Sequence, residues 1–390
     1  MKRLASTATI NGSFADPAFS RQVIEWQQRH GRHSLPWQNT SDAYRIWLSE
    51  IMLQQTQVAA VIPYYLRFLE RFPTVVSLAD APVSDVMGLW SGLGYYSRAR
   101  NLHRCAQLVR DEHSGVFPAA ATTLATLPGI GRSTAAAIAA FAYAERAAIL
   151  DGNVKRVFCR VFGIDGYPGE KAVENLLWMR AEALLPVQDI HSYTQGLMDL
   201  GATVCTRSRP KCEACPLQQR CVARSAGRTA ELPVRKARKP VPEKWTDMII
   251  AVCGDEVLLE QRGPSGIWGG LLSLPEIPSA AAQEGTQVGA NDEVVSFASA
   301  FGPVAQAGRL EQLTHGFTHF TLHIRPWLVR VREKRVMTSE PSAFAWHAAA
   351  SLPGAPLPAP VRKMLARLLL EPELPDFAAD LASELASDGA

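Results

Sequence analysis

Four cysteines lie within seventeen residues of the sequence and could bind a metal centre. They are Cys205, Cys212, Cys215 and Cys221, in the spacing C-x6-C-x2-C-x5-C. Thiolates are soft ligands that suit an iron–sulfur cluster or a structural zinc ion. Structural zinc sites usually carry two C-x2-C pairs, and this array has one, so the spacing favours one [4Fe–4S] cluster.

A glycine-rich turn and an acid form a second candidate site. Gly129 and Gly131 come directly before an alanine-rich segment, and Asp151 follows twenty residues after Gly131, in a polar turn between apolar flanks. Backbone N–H groups at the start of a helix can bind a phosphate without reading a base. Each feature alone is compatible with an ordinary helix cap or turn. Together with the cysteine array they resemble the helix–hairpin–helix DNA glycosylase superfamily to which endonuclease III belongs.

The charge of the chain is unevenly distributed. The 390 residues carry a formal net charge of +3, but residues 371–390 contain six acids and no base, so residues 1–370 carry +9. Of this, +8 lies in residues 205–239. Such a block is typical of a solvated surface or of a contact with nucleic acid or an anionic membrane. A content of 47% hydrophobic residues excludes disorder over most of the length.

The sequence contains neither a signal peptide nor a membrane span. Apolar residues are too few after the basic start of the chain, and the most apolar internal run, 135–144, is too short to cross a bilayer. We therefore expect a cytoplasmic protein, in which cysteines bind metals more often than they form disulfides.

Helical and strand-like patterns occupy different parts of the chain. Residues 19–226 show helical periodicity, for example at 58–72, broken by proline and glycine. The stretch 246–370 contains a closing helix at 360–370 and strand-like segments at 248–252, 256–259, 271–274, 317–324 and 327–331. Residues 227–245 combine three prolines with six bases, which is typical of a linker. We predict an all-α domain that includes the cysteine loop at 205–221, a basic linker and an α+β domain, with a flexible N-terminus at 1–18 and an acidic tail at 371–390.

Four long motifs carry a closer resemblance. They are LPWQ at 35–38, WLSEIMLQQTQ at 47–57, GLGYYSRARNL at 92–102 and LDGNVKR at 150–156. These stretches resemble the adenine-specific DNA glycosylases of the MutY family, from about residue 19 to residue 370. The resemblance implies an enzyme that flips adenine out of duplex DNA when it is mispaired with 8-oxoguanine or guanine, and then removes it.

Glu50, Asp151 and Asn153 are the predicted catalytic residues. Adenine leaves readily only when a ring nitrogen is protonated, so an acid is needed on one side of the sugar and a negative charge on the other. Glu50 suits the first role, because its apolar helix should desolvate the carboxyl and raise its pKa. Asp151 suits the second, as a stabiliser of the cationic sugar or a transient nucleophile, with Asn153 as a hydrogen-bonding helper.

Position 133 separates two subclasses of the superfamily. Endonuclease III-like enzymes with strong lyase activity carry a lysine there, whose amine forms a Schiff base. Ser133 cannot, which predicts a monofunctional glycosylase. Lys155 could trap the opened sugar weakly, but a phosphate contact is the better prediction. Gly129, Gly131 and Ser133 are expected to lie against the DNA backbone.

The resemblance also implies which residues contact the extruded base. Gln55 and Tyr95 match positions that wedge into the base stack beside the lesion, although Tyr95 could also be a core residue of an aromatic turn. Gln38 and Glu174 match positions near the adenine pocket. Gln54 lies in the same motif as Gln55, and we expect it at the DNA too.

The C-terminal domain resembles the Nudix fold of pyrophosphohydrolases. Residues 257–276 carry the likeness, but the stretch after Pro275 has no cluster of glutamates that could bind magnesium. We therefore expect a domain that recognises 8-oxoguanine without hydrolysing it. Phe317, Thr318 and His319 align with the Phe-Ser-His recognition turn of the family, with threonine in place of serine.

These observations predict a monomeric, nucleoid-associated bacterial repair enzyme that contacts no membrane. Two alternatives stay open. One is an endonuclease III-like glycosylase and lyase that acts on oxidised pyrimidines, and Ser133 and the second domain argue against it. The other is a non-enzymatic iron–sulfur DNA-binding redox sensor, which would have no use for Glu50 and Asp151 in their motifs.

Overall fold

The computed structural model describes residues 14–236, 240–263, 265–278, 290–335 and 343–370. The predicted acidic tail and the first thirteen residues of the predicted flexible N-terminus lie outside these ranges. The chain divides into two compact units. The first contains residues up to 80 and 101–238, and the second contains 81–100 together with the chain from 239 onwards. Residues 81–100, which the predicted boundaries assign to the helical domain, therefore join the second unit.

Helices build the first unit, as the periodicity predicts. They are α1 (Pro17–His30), α2 (Ala43–Leu53), α3 (Val58–Arg71), α4 (Val75–Ala79), α6 (Ser97–Glu112, which starts in the second unit), α7 (Ala121–Leu124), α8 (Arg132–Tyr143), α9 (Gly152–Val161), α10 (Lys171–Ala183), α11 (Ile190–Asp199) and α12 (Val222–Ser225). A π-helical turn, Leu200–Val204, continues α11, and two 3-10 turns, Cys212–Ala214 and Gln218–Arg220, lie in the cysteine loop.

The core of the first unit forms where α1, α8, α9, α10 and α11 bury their apolar sides. Phe19 and Phe158 meet edge to face with ring centroids 5.9 Å apart. Gly196 on α11 faces Val23 on α1, where an added Cβ would lie 2.8 Å from a valine methyl group. The close approach of these two helices therefore depends on glycine, and it fixes α11 beside the cavity described below.

The second unit contains α5 (Val83–Trp90) and a seven-stranded sheet with two further helices. The strands are β1 (Glu243–Cys253), β2 (Glu256–Gln261), β3 (Leu272–Ser273), β4 (Val304–Arg309), β5 (Leu313–Gly316), β6 (Thr321–Val331) and β7 (Phe344–Ala348); the helices are α13 (Ala290–Ala298) and α14 (Ala359–Leu370). The main order is β3-β2-β1-β6-β4, with β5 on β6 and β7 on β2. β1 and β6 are parallel. β1 begins inside the predicted linker.

A buried ion pair joins the two central strands. Asp247 on β1 and Arg325 on β6 are register partners, and their side chains lie 2.6 Å apart with almost no exposure. The Trp327 indole N–H donates to the same carboxylate. Since a buried charge is stable only with a partner, this pair fixes the register of the sheet. Within the described residues, no helix is long and apolar enough to cross a membrane.

Candidate active site and cysteine loop

Glu50 projects from α2 into a cavity of about 50 Å³. The helix begins at Asp42, whose side chain accepts hydrogen bonds from the backbone N–H groups of Tyr44 and Arg45. Ile46, Trp47 and Leu48 are fully buried and anchor the helix in the core. The packing of α2 therefore sets the position of the Glu50 carboxyl in the cavity.

The cavity walls come from α2, the loop before it, α8 and α11. Gln38 is one of the lining residues, and its amide bonds the loop itself: its Oε1 accepts from Leu35 N at 3.0 Å and its Nε2 donates to the Arg32 carbonyl at 2.9 Å. Arg32 in turn donates to the buried Asp199 carboxylate at 2.7 Å. Gln38 thus holds the wall of the cavity in shape.

Burial and, to a smaller extent, the nearby charge of Asp151 raise the pKa of Glu50 to about 8. Part of the residue remains accessible because the carboxyl opens into the cavity, while protein atoms surround it on the other sides. A carboxyl with this pKa carries its proton at neutral pH and can give it to a bound base.

Asp151 is the N-cap of α9, and hydrogen-bond donors contact its carboxylate. Its Oδ1 accepts from Val154 N at 2.8 Å and its Oδ2 from Asn153 Nδ2 at 3.1 Å. Burial raises the pKa of Asp151 overall, and these hydrogen bonds and the charge of Arg156 offset part of that rise. The donors stabilise the ionised form of Asp151, so we expect the proton of the pair to reside on Glu50.

Asn153 connects Asp151 to the cysteine loop. Its Oδ1 accepts from Arg156 Nη2 at 2.8 Å, and Arg156 also donates to the carbonyls of Gly201 and Cys205, each at 2.7 Å. Gly201 stands in the π-helical turn, where an added Cβ would lie 2.4 Å from the Asn153 Cβ. The sequence analysis found Asn153 but missed Arg156 and Gly201. A glycine after a helical pattern is a signal of close approach that could have indicated Gly201.

The glycine hairpin is formed as predicted. Gly129 has φ 78° and Gly131 is the N-cap of α8, while Gln54 Nε2 lies 3.4 Å from the Gly129 carbonyl. Ser133 has a role that sequence reasoning missed: its hydroxyl accepts from Leu150 N at 2.9 Å. The residue in the lysine position of the lyases therefore ties the segment before Asp151 to α8.

Two predicted DNA-contacting residues pair with each other. Lys155 Nζ lies 2.5 Å from Glu174 Oε1, and both side chains are partly exposed. Neither belongs to the walls of the Glu50 cavity. The structure therefore does not bring Glu174 to the cavity with Gln38. Instead His191, which sequence reasoning missed, lies at its rim with its ring centroid 5.0 Å from that of Phe141.

Gln55 and Tyr95, the predicted wedges, share a rare backbone conformation. Both lie in the left-handed region, with φ 57° and φ 50°, and both are exposed, Tyr95 with 44% of its surface. This conformation destabilises a non-glycine residue by roughly 1 kcal/mol or more, and residues that adopt it concentrate at functional sites. The Tyr95 ring is not part of a core, which removes the core interpretation considered for it.

All four cysteines of the array line one cavity beside α9 and the π-helical turn. Burial and, to a smaller extent, the charges of the other three cysteines raise the pKa of Cys215 to about 11. No group of three or more His, Cys, Asp and Glu side chains in the described residues is arranged to hold a single metal ion. Four cysteines around one cavity are the donor set that an iron–sulfur cluster uses, and these residues would hold it.

The buried Arg160 contacts the cysteine loop. Its side chain is 2% exposed, and it donates to the carbonyls of Thr206, Arg207 and Leu232 and to the Cys205 sulfur at 3.3 Å. Among its described contacts there is no carboxylate. A buried cation normally requires a counter-charge. Thiolates around a negatively charged cluster would supply it, so the donor set and its surroundings fit an iron–sulfur cluster.

The basic segment is partly neutralised within the chain. Arg220 pairs with Asp16, Arg224 with Glu213, and Arg228 with Asp165 and Glu231. The bases that stay exposed and form no ion pair in the described part of the chain lie in the cysteine loop and in the linker; they are Arg207, Arg209, Lys211, Arg235 and Lys236.

The predicted recognition turn closes the β5–β6 hairpin. Phe317 N donates to the Phe320 carbonyl at 2.8 Å, and the two rings stack with centroids 4.4 Å apart. Thr318 and His319 are exposed at the tip. The strand predicted from residue 317 therefore begins only at Thr321, because this hydrogen bond and ring stack form a turn.

Comparisons with known proteins define the class of the chain. Residues 48–183 match a family model described as HhH-GPD superfamily base excision DNA repair protein, and residues 247–367 match the NUDIX domain. The helical domain and the Nudix-like domain predicted from the sequence are thereby confirmed.

Curated relatives give the family. An adenine DNA glycosylase of Buchnera aphidicola subsp. Acyrthosiphon pisum is 35% identical over 347 residues, which cover 89% of this chain and 96% of the relative. Those of Mus musculus and Homo sapiens are 33% and 31% identical, over 84% of this chain and 73% and 70% of theirs. The chain belongs to the adenine DNA glycosylase family, whose members hydrolyse N-glycosyl bonds in base-excision repair.

Proposed function

We propose that the chain hydrolyses the N-glycosidic bond of adenine mispaired with 8-oxoguanine or guanine in duplex DNA. The observation that carries this proposal is the pair of carboxyls with opposite surroundings. Glu50 has a pKa raised to about 8 in a cavity, and Asp151 is held by Val154 N and Asn153. One acid and one anion are what the departure of a neutral base from a sugar requires.

Glu50 gives its proton to a ring nitrogen of the extruded adenine. The electron pair of the glycosidic bond moves to the base, and positive charge develops on the sugar. Asp151 stabilises that charge, and a water molecule adds to the sugar carbon to complete hydrolysis. Because Ser133 offers no amine and its hydroxyl is already bonded to Leu150 N, the enzyme is monofunctional.

Extrusion of the base leaves a gap in the duplex. Gln55 and Tyr95 fill it and keep the DNA bent, and their exposed left-handed turns hold the side chains away from the protein surface. Thr318 and His319 contact 8-oxoguanine, and Phe317 supports them from the turn. Gly129 and Gly131 hold the DNA backbone at the start of α8. The same chain acts on the nucleoid as a monomer.

Cys205, Cys212, Cys215 and Cys221 hold one [4Fe–4S] cluster. When bound, the cluster is a structural centre that ties the loop to α9 and needs no electron transfer. Arg160 compensates its negative charge, and Arg156 connects the loop to Asn153. The loop then presents Arg207, Arg209 and Lys211 to phosphates, and salt should weaken DNA binding accordingly.

A single-turnover assay tests the function. The purified chain should release adenine from duplexes containing A opposite 8-oxoguanine and A opposite G, and Glu50→Gln should lower that rate by roughly 10²- to 10⁴-fold. Glu70→Gln, an exposed acid on α3, is the matched control and should keep the rate. Cleavage of thymine glycol with strand scission, and a Schiff base trapped by borohydride, would instead establish the endonuclease III-like alternative. Tight DNA binding without release of any base would support the redox sensor.

A further inference from the structure

The exposed Tyr95 turn belongs to the same compact unit as the Nudix-like sheet. The segment 81–100 contains α5, the turn and the start of α6. Two groups of contacts fix this segment to the C-terminal part of the chain. The position of the Tyr95 turn therefore depends on contacts within the second unit.

The first group of contacts lies at the end of α5. Ser91 Oγ donates to the Leu357 carbonyl at 2.5 Å and accepts from Arg362 Nη2 at 2.9 Å. Arg362 itself is held by the carbonyls of Pro353 and Ala355. These bonds attach α5 to the segment before α14 and to α14 itself.

The second group of contacts lies at the start of α6 and involves Arg100. Arg100 Nη1 donates to the Gly269 carbonyl at 2.6 Å. Gly270, the next residue, has φ 78°, and an added Cβ there would lie 3.8 Å from the Arg100 Cδ. The arginine therefore lies against the 268–270 loop with both its head group and its stem.

The same loop supports the recognition turn. Trp268 is 6% exposed and has φ 56°, and its ring centroid lies 6.1 Å from that of Phe317 and 6.4 Å from that of His315. A non-glycine residue in the left-handed region keeps that conformation only where its surroundings impose it. Trp268 and Gly269 thus connect the base of the recognition turn to Arg100.

The Tyr95 turn can follow a movement of Arg100 as one body. The Gly94 carbonyl accepts from Trp90 Nε1 and Arg98 Nη2, each at 3.1 Å, and the Arg98 guanidinium lies over the rings of Trp90 and Tyr95 at 5.1 and 5.5 Å. Arg98 N also donates to the Tyr95 carbonyl. With its shape fixed by these bonds, the turn has its position set by the two groups of contacts.

We propose that Arg100 is a positioning residue that couples the recognition turn to the Tyr95 wedge. It acts through its hydrogen bond to Gly269 and the packing of Trp268 on Phe317. The proposal rests on the proposed function, in which Thr318 and His319 contact 8-oxoguanine and Tyr95 enters the stack. Its consequence is that the preference for 8-oxoguanine over guanine includes a contribution from the wedge, delivered through Arg100.

A double-mutant cycle tests the coupling. Single-turnover rates of adenine release from A opposite 8-oxoguanine and A opposite G are measured for Arg100→Ala, Tyr95→Ala and the double variant. Loss of one charged hydrogen bond should lower the preference for 8-oxoguanine by about tenfold in Arg100→Ala. In the Tyr95→Ala background the same change should have almost no effect, because the residue through which it acts is gone.

Arg104→Ala is the matched control, since it removes an exposed arginine one turn further along α6. It should leave the preference unchanged. Arg100→Lys, which can still donate to the carbonyl, should restore part of the preference. Fluorescence of 2-aminopurine placed beside the 8-oxoguanine gives an independent readout: its increase on binding should vanish in Tyr95→Ala and fall in Arg100→Ala.

Two results would overturn the proposal. One is an Arg100→Ala effect that is equally large with and without Tyr95, and the other is an equal loss on both substrates with unchanged 2-aminopurine signal. If Arg100→Ala unfolds, the cycle is run with Arg100→Lys, and the same two results decide. Failure of the wild-type chain to release adenine from either duplex would instead refute the proposed function.

Discussion

Polar groups are enclosed at the cavity around Glu50 but exposed on the turn at 317–320. In the first unit, carboxyls are enclosed and each is bound to or opposed by a specific neighbour, so that burial changes their pKa values. In the second unit, Thr318 and His319 are exposed on a turn that ring stacking stiffens. Proton transfer needs an altered pKa and hence enclosure, whereas recognition needs polar groups that are accessible to a ligand.

A methyl group at position 201 tests the enclosure of the catalytic carboxyls. Gly201→Ala places that group where Asn153 now lies, so Asn153 or the π-helical turn must shift and the contact of Asn153 with Asp151 is disturbed. A displacement of about 1 Å at a reacting group can cost up to roughly 10²-fold, and we expect a loss of about 10- to 10²-fold in the rate of adenine release with DNA affinity retained. Gly308→Ala, which meets no neighbour, should have no effect. Equal rates for the two variants would refute the role of Asn153.

The pH dependence of the chemical step is the next test. Glu50 acts in its protonated form, and its pKa is raised to about 8. The single-turnover rate should therefore stay level up to about pH 8 and then fall about tenfold per pH unit. Stopped single-turnover assays between pH 6 and 9.5 measure this limb. A rate that rises above pH 8 would show that Glu50 is not the acid.

The recognition turn should give a smaller and selective effect. Thr318→Ala combined with His319→Ala removes polar groups that are exposed and that the fold does not need. We expect the preference for 8-oxoguanine over guanine to fall by about five- to tenfold, with the rate on A opposite G unchanged. Competition between the two duplexes measures the ratio. Equal losses on both would break the division between catalysis and recognition.

The smallest expected effect is on stability. Because the pKa of Glu50 is raised from 4.5 in the unfolded chain to about 8, folding must take up a proton at Glu50 between those pH values, and the free energy of unfolding falls as the pH rises through them. Glu50→Gln removes this loss, and we expect the free energy of unfolding at pH 7.5 to rise by about 1 kcal/mol or more. Thermal denaturation should show a higher Tm for the variant at pH 7.5 and none of this gain at pH 4.5. A gain that is the same at both values would assign it to packing instead.

Periodicity predicted most of the elements that surround these sites. The apolar pattern of residues 58–72 became α3, and the closing helix predicted at 360–370 became α14, because side-chain spacing is a local property. The same reasoning missed α13, β4, β5 and β7, which are short and only partly buried. It also extended a strand across Phe317, where a hydrogen bond to Phe320 makes a turn.

Site residues divide in the same way. Glu50 and Asp151 could be chosen from their motifs, but Arg156 and His191 could not, because they meet the site only through the packing of α9 and α11. The cavity is likewise lined by His191 and not by Glu174, which the family resemblance had indicated. Distance along the chain carries no information about which helix face meets which.

The amino-acid sequence defines the chemical groups that this protein can use: four thiols in one loop, a serine instead of a lysine at position 133, and acids at positions 50 and 151. Control of those groups comes from tertiary packing. The pKa of Glu50 depends on walls contributed by residues from 32 to 198, and the Tyr95 turn takes its position from residues near 269 and 357. Desolvation and long-range hydrogen bonds exist only once distant segments have packed together, which is why no local pattern could reveal them.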